Sequence, residues 1–206
     1  MVRAVLRIVG FELKGFIAIG LWAVRRRHGV PPGAIAGTYA KEQAFMLTLM
    51  LFAMAVETVV LDLLLVAVEV PAAVRYAVLI ADVYGLLFGV MLAAACVTRP
   101  HVVTGDELRI RYGVYFDLRI RRDRIASVRG SGGYDGSRMV SVEDGRLSVA
   151  VASRTNVTVE LTEPITFVRP LGGRAEASTV RFFADQPETV VAALRANQGD
   201  GLPARS

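Results

Sequence analysis

From 45 to 68 the chain reads FMLTLMLFAMAVETVVLDLLLVAV, an apolar run whose only charges are Glu57 and Asp62. As a helix it is about 36 Å long, enough to cross a hydrocarbon core of about 30 Å with some tilt. A second run from 76 to 98, YAVLIADVYGLLFGVMLAAACVT, carries Asp82 as its single charge. The connector EVPAAVR is interrupted by Pro71 and is too short to carry the chain back across a bilayer. The pattern therefore predicts an antiparallel hairpin of two membrane spans over 45–98.

After Arg99 and Pro100 the period changes from helical to alternating, which marks a domain boundary. ELRIRY and VYFDLRI flank Gly113, and a hairpin centred there sets Leu108 against Leu118, Ile110 against Phe116, Arg109 against Asp117 and Glu107 against Arg119. RMVSVE and RLSVAV flank Asp144-Gly145, a strong two-residue turn signal, which pairs Val142 with Leu147, Val140 with Val149 and Glu143 with Arg146. Further antiparallel strands are expected at 125–130, 156–161, 165–169 and 178–184. A closing helix, PETVVAALRAN, has Asp185 as its N-cap, Glu188 as the capping partner and Gly199 beyond its end. Its apolar face, Val190, Val191 and Leu194, is placed to plug a small barrel or sandwich spanning 99–198. Residues 199–206 read as a disordered tail.

The segment 1–44 is basic and amphipathic. Arg3, Arg7 and Lys14 fall within about 40° on a helical wheel, while Phe11, Phe16, Ile17, Leu21 and Trp22 supply apolar bulk. The uninterrupted apolar part, GFIAIGLWAV, is too short to span. The pattern fits a helix in the membrane interface, its cations towards lipid phosphates and Trp22 at headgroup depth, or a re-entrant segment over 8–24. VPPG at 30–33 then ends the helix as a linker.

Composition agrees: 53% of residues are apolar, 21% are charged and the mean hydropathy is +0.45, values that argue against a wholly soluble chain. One cysteine cannot close an intrachain disulfide, and with two histidines it cannot make the usual four-ligand zinc site. The charge of +5 rests almost wholly on arginine, since Lys14 and Lys41 are the only lysines, a bias that suggests a GC-rich bacterial genome. Basic residues crowd 1–44 (Arg3, Arg7, Lys14, Arg25, Arg26, Arg27, Lys41), whereas the connector has only Arg75. By the positive-inside rule both ends face the cytoplasm of a bacterial plasma membrane. Glu12 and Lys14 interrupt the early apolar stretch, so the first span is expected to serve as an uncleaved signal.

A two-span hairpin followed by RPHVVTGDELRIRYGVYFDLRIRRDRIASVR resembles the small bacterial membrane proteins that carry a bacterial PH-like domain. The shared features are a strand, a glycine turn, a strand ending in basic residues and an Ile-x-x-Val strand at Ile125 and Val128. The resemblance covers roughly 45–196. It implies an all-β PH-like split barrel with a C-terminal helix, in a family largely without assigned biochemistry. Phosphoinositide binding does not carry over, because the first hairpin turns tightly at Gly113 where eukaryotic PH domains have a long basic loop.

The chain has no nucleophile elbow, phosphate loop, dinucleotide fingerprint or HExxH helix, so no catalytic residue, metal or cofactor is expected. GSGGYDGS at 130–137 lacks a following helix N-terminus and reads as a flexible loop. His28 and His101 read as structural or exposed, and Cys96 as a small apolar residue. The arginines of 119–129 lack stacking aromatics, which argues for a solvated face near anionic lipid and against nucleic acid. The residues most in need of explanation are the intramembrane acids. Asp62 and Asp82 lie about 9 Å deep from the outer ends of their spans and are placed to face each other, and Glu57 is near mid-bilayer. With no cation in either span they must be protonated, share a proton, reach the interface or meet another chain, with Thr58 and Tyr84 as hydrogen-bond partners. The expected function is a membrane-anchored, non-enzymatic protein whose cytoplasmic domain binds another protein or packs on lipid. The competing reading is a homo-oligomeric channel or transporter using these acids.

Overall fold

The computed structural model describes residues 2–134, 138–170 and 172–196, with side chains from residue 10 onward. The expected tail, the tip of the glycine-rich loop and the side chains of Arg3 and Arg7 lie outside the described residues. α1 (Val2–Ala23) precedes a short strand β1 (Ile35–Gly37), and the two apolar runs form α2 (Lys41–Ala67) and α3 (Ala72–Thr98). α2 and α3 are long and apolar enough to cross a membrane. They pack through small residues of α3: a Cβ on Gly89 would lie 2.7 Å from Leu51 Cδ2, and one on Gly85 3.6 Å from Met54 Cε. No residue of α2 is buried, whereas α3 is buried at Gly89, Met91, Ala94, Ala95, Cys96 and Thr98, towards its C-terminal end.

α1 packs on α3 and runs in the same direction. Glu12 accepts a hydrogen bond from Tyr84. Phe11 stacks on Phe88 at 5.7 Å, a Cβ on Gly15 would meet Met91 Sδ at 2.6 Å, and Ala18 packs with Ala94 and Ala95. Contacts that advance together along both helices put α1 alongside α3. The start of α1 thus points towards the end of the bundle where Pro71 joins α2 to α3.

The remaining chain forms two sheets. β1, β2 (His101–Val103), β3 (Glu107–Tyr112) and β4 (Phe116–Arg121) make a four-stranded antiparallel sheet in that order. The second sheet contains β5 (Ile125–Tyr134), β6 (Val140–Glu143), β7 (Arg146–Val149), β8 (Arg154–Val168) and β9 (Arg174–Phe182), ordered β5-β8-β9-β7-β6. α4 (Pro187–Ala196) packs against strands of both sheets and buries Val190, Val191 and Leu194, the face its sequence predicts. One apolar core joins Leu108, Ile110 and Ile120 of the first sheet to Leu147, Val159, Val180 and Phe182 of the second.

The Asp144-Gly145 hairpin has the expected register, with Val142 opposite Leu147, and both turn residues have positive φ, 49° and 70°. The first hairpin is shifted by two residues, so that Ile110 faces Leu118 and Arg109 faces Arg119. Its turn spans Gly113 to Tyr115 where a single-residue centre was expected, and a two-residue shift leaves every side chain on its expected face. Arg109 still reaches Asp117, now diagonally, at 2.6 and 2.7 Å. The strands expected at 156–161 and 165–169 are one strand, β8, with an irregularity between Glu160 and Ile165 where Pro164 cannot donate to the ladder. The all-antiparallel expectation fails at one pair: β7 and β9 are parallel, because β9 inserts between β8 and the β6-β7 hairpin. Strands β1 and β2 were not anticipated, and β1 brings part of the segment 1–44 into the β unit, where Tyr39 is wholly buried.

Candidate functional site

The helices and the β unit meet at a buried polar junction. Arg111, on β3, is 1% exposed, and its guanidinium donates to the His28 carbonyl at 2.8 Å and the Gly29 carbonyl at 3.2 Å. The His28 N–H donates to the Thr98 carbonyl at 2.8 Å, which ties the same loop to the end of α3. Burial first, and then the charges of Arg109 and Arg99, lower the Arg111 pKa to about 10, so it stays cationic at neutral pH. Asp117 opposes this charge. Burial alone would raise its carboxyl, but hydrogen bonds from Arg109 and the charges of Arg109 and Arg111 hold it below the usual carboxylate range.

His101, 1% exposed, accepts the Arg111 backbone N–H at Nδ1 (3.1 Å), so the ring proton sits on Nε2 and is donated to the Phe183 carbonyl at 2.9 Å. Burial holds its pKa near 4, and a neutral imidazole there links β2, β3 and the end of β9. Tyr39 stacks near it at 4.7 Å and accepts the Gly113 N–H at 2.7 Å. Gly113, at φ +50°, gives the β3-β4 turn the left-handed backbone it needs beside Cys96 of α3, where a side chain would be strained by its conformation. His101 is accordingly a structural residue of the fold. The role of Arg111 had no sequence signal beyond its place in an alternating strand, because its inward position is polar.

The acids of the two long apolar helices are not brought together. Asp62 is bound by Arg75, Nε to Oδ1 at 2.7 Å and the terminal nitrogen to Oδ2 at 3.0 Å, which corrects both the expected Asp62-Asp82 pairing and the expected lack of a cation. The connector is shorter than expected: α3 begins at Ala72, so Arg75 lies in its first turn and faces α2. Asp82 lies seven residues further along α3, about 10 Å along the helix axis, and is half-buried. Glu57 is exposed on α2. Thr58 donates to the Met54 carbonyl of its own helix, and Tyr84 turns to Glu12 of α1.

The basic positions divide into two sets. Those of 119–129 are mostly engaged: Arg119 with Glu107, Arg121 with Asp123, Arg129 with Glu160, while Arg122 donates to the carbonyls of Ala193 and Leu194 and so caps α4. Asp185, expected to cap α4, instead accepts the Lys41 N–H at 3.3 Å at the start of α2. Arg25, Arg26, Arg27 and Trp22 are exposed beyond or at the end of α1, as is Lys14 within it. The outer face of the second sheet carries a polar groove of about 370 Å³ lined by Arg129, Arg146, Arg181, Ser131, Thr158, Thr179 and Glu160, the last paired with Arg129 at 3.2 Å. Among the described residues no group of three or more His, Cys, Asp or Glu could hold a metal ion. No family model, curated protein or solved structure matches this chain.

Proposed function

We propose that this chain is a non-enzymatic membrane-anchored interaction protein: α2 and α3 fix it in a bacterial plasma membrane, and a PH-like β unit on the cytoplasmic side engages an acidic segment of a partner protein. One observation carries the reading. The β unit is joined to the end of α3 through Arg111 and His28 and to the segment before α2 through Gly113 and Tyr39, so the groove between Arg129, Arg146 and Arg181 is held at a set place relative to the anchor. Arginine forks flanked by hydroxyls suit carboxylates. Two face-packed sheets with α4 across them support the PH-like assignment. The basic collar at 25–27 and Lys41 supports the cytoplasmic placement.

The test is a photo-crosslinking residue at Thr179 in intact membranes. A protein adduct that Arg129→Glu and Arg146→Glu together abolish supports the reading. Adducts to lipid only, or a protein adduct indifferent to both charge reversals, overturn it. Release of the full chain from membranes by alkaline carbonate overturns the anchor.

One observation favours a second reading. Glu57 lies mid-span on α2, a helix with no buried residue, and a carboxyl in hydrocarbon calls for a partner. A homo-oligomer that pairs these faces, with transport through the assembly, answers that need. Oligomers in detergent and reconstituted cation flux, both lost on Glu57→Leu, would establish it, and a monomer without flux would dismiss it.

A further inference from the structure

α1 and α2 both pack on α3 but leave a cleft of about 800 Å³ between their ends nearest the β unit. One wall is apolar: Ile19 and Trp22 of α1, Ala44 of α2 and Val97 of α3. The mouth carries Arg25, Arg26, Arg27 and Lys41. We propose that this cleft binds one anionic phospholipid with a hydroxylated headgroup, its phosphodiester at the four cations and an acyl chain along the apolar wall. The inference rests on the membrane-anchored reading and adds a defined ligand to it.

Three features support that occupant. The cations follow α1 directly while Trp22 and Ile19 lie one and two turns back along the helix, so charge and apolar surface are ordered as an amphiphile requires. None of the four cations forms an ion pair with a described residue, in contrast to Arg109, Arg121, Arg129 and Arg154 on the β unit. Three successive like charges repel one another, and a phosphodiester relieves this through charge-assisted hydrogen bonds. Finally, Asp185 lines the cleft with Oδ2 buried and without a hydrogen-bond partner. An acceptor in that place favours a headgroup that donates, such as a glycerol hydroxyl, over a bare phosphate monoester.

The test is native mass spectrometry of the full chain in detergent with equal amounts of phosphatidylglycerol and phosphatidylcholine. One retained phosphatidylglycerol per chain is expected. Replacing Arg25, Arg26, Arg27 and Lys41 together by Gln should lower retention about tenfold or more, the equivalent of losing one strong charge-assisted bond. Replacing the three arginines by Lys should restore most of it. Ile19→Trp fills the cleft without changing charge and should also displace the lipid. Arg119→Gln with Arg121→Gln, an equal kind of charge loss on the outer face of β4, should leave retention unchanged. Equal retention of both lipids, retention indifferent to Ile19→Trp, or binding of soluble glycerol phosphate as tight as that of the lipid would each overturn the proposal. Variants that stay in the membrane fraction keep this result separate from any failure of the anchor.

Discussion

Arg75 clasps both carboxylate oxygens of Asp62, at 2.7 and 3.0 Å, from the first turn of α3 to the last third of α2. The pair closes the hairpin just inside its connector and satisfies the one span acid that lies within reach of a cation. Arg75→Gln leaves Asp62 unpaired near hydrocarbon, and Asp62→Asn leaves Arg75 unpaired, so each single change should lower the thermal stability of the detergent-solubilised protein. Asp62→Arg with Arg75→Asp should recover part of the loss. A swap no more stable than the worse single variant would show that the contact adds nothing beyond helix packing.

His101 makes the β unit acid-sensitive, with a sign that follows from its depressed pKa. The folded imidazole titrates near 4 and an unfolded one near 6.5, so the unfolded chain binds the extra proton between those values. The stability contribution is complete above about pH 6.5, falls as pH drops to about 4 and levels off below, a change on the order of 3 kcal/mol. Melting temperatures from pH 7 to 4 should show the decline, and His101→Gln should flatten it.

Arg111 ties the loop after α1 to β3 and faces Asp117. Arg111→Met keeps length and apolar stem but leaves the carbonyls of His28 and Gly29 without their donor, an expected cost of about 2 to 4 kcal/mol. Limited proteolysis within 25–34 should accelerate in the same variant, because that loop loses its hold on the β unit. Unchanged cleavage would place the anchorage of the loop elsewhere.

Gly15 packs tightly against Met91 of α3. A side chain there meets Met91 Sδ and Cβ, so Gly15→Leu should force the helices apart at a cost of about 1 to 3 kcal/mol. Loss of a disulfide engineered between Phe11→Cys and Phe88→Cys, rings 5.7 Å apart in the wild type, would report that separation.

With α2 and α3 as a two-span hairpin, a cysteine at Ala73 should be labelled from one side of the membrane and one at Thr189 from the other. An impermeant thiol reagent on intact cells tests this, with Ala73→Cys expected to react and Thr189→Cys to be protected. Labelling of Thr189→Cys alone in intact cells would reverse the orientation.

Local pattern determined the elements that depend on local physics. Two uninterrupted apolar runs are helical because hydrocarbon or a core will accept nothing less saturated in hydrogen bonds, Asp144-Gly145 turns because both residues tolerate positive φ, and α4 buries the three residues its 3.6-residue period aligns. The same parity argument kept Leu108, Ile110 and Ile120 inside even though the β3-β4 turn proved two residues longer in register than its glycine implied. What only the tertiary structure decided is every relation between segments distant in sequence. An amphipathic period shows that α1 has an apolar face and not what covers it, so its seat on α3 through Gly15 and Ala18 was not legible. Nothing near Asp185 indicates that it turns to the start of α2, and nothing in an alternating strand distinguishes an Arg111 that is buried against two carbonyls from one in solvent. The strand β1 and the parallel β7-β9 pair arise in the same way. Each is chosen by which edge remains open once the rest of the sheet has formed, a condition of the whole chain that no window of neighbouring residues contains.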